Sequence, residues 1–159
     1  MAESLARRTG AVWLQADAIA RELAPAPNNA LEGHVHAEML RRARRLLQAG
    51  TSVVLDASWS NPTDRADARR LVNETATTIA EICCTVPAAE AKERIGRRIE
   101  SMHTVPDTDP DADAVADQCR NWPEAVRVDT RGAVDESVNQ ACCGIGLAGI
   151  ARPRSLAFC

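Results

Sequence analysis

The 159 residues carry a formal net charge of −3 and a pI near 5.6, which leaves no basic excess for general nucleic-acid binding. Three Trp, one Phe and no Tyr argue against a base-stacking platform, so the core of one domain must come from Ala, Val, Leu and Ile. There is no run of 18 apolar residues and no basic-then-apolar leader, and a cytoplasmic location with no membrane association is expected.

Residues 2–9 read as the last turns of a helix stopped by Gly10. Ala11-Val12-Trp13-Leu14 is a short apolar strand running into Gln15-Ala16-Asp17, and a helical stretch, Ala18–Leu23, opens on Asp17. Asp17 is either a plain N-cap or a carboxylate offered at a strand end. Ala24–Asn29, with two prolines, is a loop. A helix follows from about Glu32 to Gln48, with Met39, Leu40, Ala43, Leu46 and Leu47 on one side and arginines as a solvated face. His34-x-His36 has no third ligand in view and does not make a metal site.

Thr51–Arg65 is the most informative stretch. Ser52-Val53-Val54-Leu55 reads as a strand buried on both faces and stops at Asp56, while Asn61-Pro62 reads as N-cap and first helical residue. Strand, acid, short loop and capped helix is how an open α/β sheet presents a carboxylate at its carboxyl edge; a strand-end Asp that only caps a turn is the alternative. A helix from Pro62 to about Glu74, a strand Thr77–Thr85 and a helix Pro87–Met102 come next. Arg94, Arg97 and Arg98 share one face of that helix. His103–Ala114, rich in Asp and Pro, reads as a mobile loop, followed by a short helix to Arg120, a strand Ala125–Val128 and a helix Ala133–Cys142. The expected fold is therefore α/β with a parallel sheet, one domain over residues 1–143, and a poorly ordered tail over 144–159. The six cysteines match no zinc spacing and no compact disulfide framework.

Several of these stretches resemble one family. Leu5–Asp17 looks like the segment after the phosphate-binding loop of small P-loop kinases. Val53–Arg65, Ile82–Pro87 with Arg94–Arg98, Asp109–Asp113 and Trp122–Thr130 are similar, in order, to later parts of the AAA-family ATPase/kinase-like domain. That group is related to polynucleotide- and gluconate-kinase folds and occurs in bacterial aminoglycoside phosphotransferase/ATP-binding fusions. The resemblance covers about residues 3–142. It implies a three-layer P-loop NTPase-like sheet and phosphoryl transfer from ATP, with Mg²⁺, to a small hydroxyl-bearing substrate. It also implies Asp17 as the acceptor-side base, Asp56 as the acid at substrate and metal, and Arg65 as a substrate contact. Arg94, Arg97 and Arg98 would be lid cations on the phosphoryl group, Arg94 and Arg98 touching the nucleotide.

The departures are specific. No G-x-x-x-x-G-K-[S/T] occurs, and Lys92, the sole lysine, follows Ala91. Ala20 stands where the family commonly has an arginine, and the lid motif has become Asp111-Ala-Asp113. The chain reads as the family's domain without its first strand and phosphate loop, with ATP chemistry impaired or absent; a coding start upstream of Met1 would restore both. The strand so missing is normally central, so the sheet is expected to rearrange, to self-associate as a homodimer, or to take a complementing strand at its open edge. A non-enzymatic interaction module pairing through that edge is the rival reading.

Overall fold

The computed structural model describes residues 1–23, 31–102, 121–146 and 155–158. Six helices and five strands alternate along the described residues: α1 Ala2–Thr9, β1 Val12–Gln15, α2 Ala16–Leu23, α3 Leu31–Gln48, β2 Val53–Asp56, α4 Pro62–Thr75, β3 Thr78–Thr85, α5 Ala88–Met102, β4 Val126–Asp129, α6 Val134–Gly144 and β5 Ser155–Phe158. Local chemistry sets the boundaries. Gly10 closes α1 at a φ of 67°, and the Asn61 side chain accepts from the Thr63 N–H at 2.9 Å with Pro62 in the first turn of α4. The expected loop at 24–29, the loop 103–114 and the helix 114–120 lie outside the described residues.

All strands are parallel, in the order β1-β2-β5-β3-β4. The sheet is thus of the expected α/β class, but its centre differs from the expectation. The tail expected to be poorly ordered supplies a strand, and that strand is the central one. Leu156, Ala157 and Phe158 pair in register with Ile79, Ala80 and Glu81 on one side and with Val53, Val54 and Leu55 on the other. β5 thus fills the place between β2 and β3 that was expected to be open. Pairing of another chain at that position would first require β5 to leave.

The alternation of a strand buried on both faces divides the core into two layers. Val53, Leu55, Leu156 and Phe158 pack with Met39, Ala43, Leu47, Ala68 and Leu71 from α3 and α4. Val54, Ala157, Ile82 and Val128 pack with Ala2, Leu5, Ala6, Val138 and Ala141 from α1 and α6. Ala157 is the small residue of β5 and shares a core cluster with the alanines of α1; Phe158 is the large one and packs against Trp59 and Trp122, ring centroids 4.4 and 5.4 Å away. Among the cysteines, Cys83 is disulfide-bonded, against its reading as only a small apolar strand residue, whereas Cys84, Cys142 and Cys143 are free thiols. No helix among the described residues is long and apolar enough to cross a membrane.

Candidate active site at the carboxyl edge of the sheet

A parallel sheet brings the carboxyl ends of all its strands to one edge, and that edge is where open α/β folds bind ligands. Asp56 is the last residue of β2 there, and its register partner on β1 is Gln15, after which α2 opens with Ala16 and Asp17. The two acids predicted from sequence are therefore neighbours. Asp56 is partly buried, and burial first, with the nearby Asp17 charge second, pushes its carboxyl above the usual range against the indole of Trp13 and the Met1 ammonium. Trp13 Nε1 donates to Asp56 Oδ2 at 3.1 Å. No Arg or Lys side chain pairs with Asp56 among the described residues. Cys84, near the end of β3, feels both the Met1 ammonium and Asp56. The start of α1 thus lies over the same edge, between β2 and β3.

Behind Asp56, the loop Ala57–Asn61 is held through three successive carbonyls. His36 Nε2 meets Ser58 O at 3.1 Å, and the Arg65 guanidinium donates to Trp59 O and, at 3.1 Å, to Ser60 O. His36 also packs edge-on against Trp59 and stands 3.9 Å from Asp64. Arg65 is only 6% exposed and lies over the Trp122 ring, 5.1 Å from its centroid. Arg65, expected as a substrate contact, is thus placed inside the protein with the loop's own carbonyls as partners. Arg65→Met, which keeps the stem and removes the donors, is expected to lower stability by about 1–3 kcal/mol through a stranded buried carbonyl. A urea titration followed by Trp fluorescence checks it.

Of the three predicted lid cations, the contacts of Arg94 are the ones among the described residues. Arg94 pairs with Glu90 at 2.7 Å and donates to Thr130 O at 2.8 Å, past the end of β4; Arg97 and Arg98 follow on α5, and their side chains lie outside the described residues. The structure therefore brings Asp17 and Asp56 together and sets Arg94 across the sheet, beside Asp129. There Arg131 holds the Asp129 carboxyl below its usual range, and Arg94 adds to the effect. Among the described residues no group of three metal-ligating side chains occurs. Asp56, with one oxygen on Trp13 and Asp17 nearby, nonetheless suits Mg²⁺, which keeps most of its waters and takes one or two carboxylates.

Trp13 and Glu81 are the site and core residues that sequence reasoning passed over, and His36 was weighed only as a metal ligand. Trp13 is hidden in an apolar strand, and only its cross-strand position relative to Asp56 exposes it. Glu81 was visible as an acid inside an apolar run, the kind of intrusion a core admits only when paired.

Comparison with known proteins sets this geometry in a family. A family model described as an AAA domain matches residues 1–122. Over 107 residues the chain is 38% identical to the Uncharacterized protein Mb2027c of Mycobacterium bovis and to the Uncharacterized proteins MT2060 and Rv2004c of Mycobacterium tuberculosis. Each match takes in 67% of this chain and 21% of the relative, so the chain spans about a fifth of the length of the curated relatives it matches.

Proposed function

Because this chain belongs to the AAA-domain family, we propose that it is the acceptor-side portion of an ATP-dependent phosphotransferase acting on a small hydroxyl-bearing substrate. The observation that carries the reading is the pairing of Asp56 with Asp17 at the carboxyl edge. Asp56 is a partly buried carboxylate that no cationic side chain among the described residues neutralises, a cost that a purely structural position would shed. Asp17 would take the proton of the acceptor hydroxyl, and Asp56 would hold Mg²⁺ and orient the acceptor. ATP would supply the phosphoryl group and Mg²⁺ the charge that offsets it. The arginines of α5 would neutralise that group from the far side of the sheet.

Within these 159 residues the phosphate cradle of backbone N–H groups, lysine and Mg²⁺-binding hydroxyl is missing, since no G-x-x-x-x-G-K-[S/T] occurs. The chain by itself is therefore expected to carry out ATP chemistry poorly. Calorimetric titration with Mg²⁺ and a non-hydrolysable ATP analogue is expected to give no saturable heat below millimolar nucleotide; micromolar binding would show that other residues rebuild the cradle. Asp56→Asn checks the acid independently. Removing an incompletely compensated charge is expected to raise stability by about 1 kcal/mol, as at functional sites that trade stability for chemistry. A loss of stability would make Asp56 a structural residue and sink its assigned role.

A further inference from the structure

We propose that Trp13 is a positioning residue for Asp56, its indole N–H fixing the carboxylate's orientation while leaving its full charge for a cation. The inference rests on the functional reading given above, in which Asp56 meets a divalent metal.

The register places the two residues for this. Trp13 pairs with Val54 and Gln15 with Asp56, so Trp13 and Asp56 lie diagonally on one face of the β1–β2 pair, within reach of a long side chain. Trp13 is partly buried and packs against the core cluster that includes Ala2, Leu5 and Val54, which restricts the direction of its N–H. The 3.1 Å bond to Oδ2 is the one hydrogen bond made to the Asp56 carboxylate among the described residues. The chemistry of the donor matters as much as its place. An indole N–H can only donate, so it never competes with the carboxylate for a cation. An arginine or lysine in its place would orient the acid equally well but would cancel its charge. A neutral donor takes one of about four lone-pair positions and leaves the rest. Charged groups that Asp56 senses are Asp17 and the Met1 ammonium, which oppose each other. The donor thus acts like the outer partners of metal ligands, which orient the ligand without touching the metal.

The test uses the whole chain and two readouts. Indole N–H signals in ¹⁵N-labelled protein identify Trp13 by the signal lost in Trp13→Phe. That signal is expected downfield, and expected to move upfield in Asp56→Asn, where the acceptor becomes neutral, but to stay put in Leu14→Ala. Mn²⁺ titration, read by paramagnetic broadening, is expected to show about tenfold weaker binding in Trp13→Phe than in the wild-type chain, with unchanged circular dichroism. An indole signal indifferent to Asp56→Asn, or equal Mn²⁺ affinity with and without the indole, overturns the inference while the functional reading stands. Failure of the wild-type chain to bind Mn²⁺ at all overturns that reading, and the cation-facing role of Trp13 with it.

Discussion

Phe158→Ala is expected to remove about 3–5 kcal/mol of stability, a large part of the roughly 5–15 kcal/mol that holds a typical domain together. Phe158 is fully buried, and its ring packs against Trp59 and Trp122, pairs worth about 0.5–1.5 kcal/mol each beyond the buried area. Topology enlarges the consequence. In the order β1-β2-β5-β3-β4, the pairs β1-β2 and β3-β4 are hydrogen-bonded into one sheet through β5, which is four residues long and follows α6 after residues 145–154. Loosening Phe158 therefore loosens the joint between the two strand pairs, including the one between the Asp56 edge and the Arg94 side. Leu156→Ala, equally buried, is expected to cost about 2–5 kcal/mol. Val134→Ala, at a half-exposed position, is expected to stay within about 0.5 kcal/mol. Urea unfolding followed separately by Trp fluorescence and circular dichroism measures all three. A Phe158→Ala midpoint close to wild type would mean that β5 is not the strand that unites the sheet.

Why β5 escaped sequence reasoning has a definite physical cause. Leu156-Ala157-Phe158 is too short for periodicity to tell strand from coil, and its surroundings, with Gly144, Gly146, Gly149 and Pro153, carry breaker chemistry. Its strand character comes from neighbours distant in sequence, namely the edges of β2 and β3 and the two indoles that receive Phe158. By contrast, Val53–Asp56 followed by Asn61-Pro62 was legible because every signal is local: a β-branched run, an acid, a side-chain cap and a proline with suitable φ. The pairing of Asp17 with Asp56 was half legible. Each acid ended a strand in the sequence, but only the β1–β2 register makes them neighbours. Arg65 shows the opposite case. Its place after the proline turn was readable, but its direction was not, since whether a helix arginine reaches out to a ligand or inward to carbonyls depends on what the preceding loop exposes.

Glu81 leads to the second large effect. It sits on β3 opposite Phe158, is 7% exposed, and its two oxygens accept a bidentate pair from Arg69 at 2.6 Å each, with Trp122 Nε1 as a third donor. Arg69 also reaches Glu124 at 3.3 Å, so one buried carboxylate joins β3, α4 and the segment that leads into β4. Burial alone would raise this carboxyl, but Arg69 and Trp122 outweigh it and hold it below the usual range. Arg69→Ala is expected to cost about 3–5 kcal/mol near pH 7, because it leaves a buried charge without its main partner. The double change Arg69→Met with Glu81→Leu is expected to cost clearly less, since it strands nothing. The pH dependence separates this account from lost packing. In the wild type the pair's contribution is complete above the unfolded carboxyl pKa of about 4 and is lost as pH falls through the lower folded value. In Arg69→Ala burial dominates and the carboxyl moves up, so its penalty is greatest at neutral pH and fades on acidification. The stability gap between wild type and Arg69→Ala should therefore be widest near pH 7 and narrow below about pH 4. A gap that stays constant across that range would mean that Arg69 contributes through its stem and not through the charge it brings to Glu81.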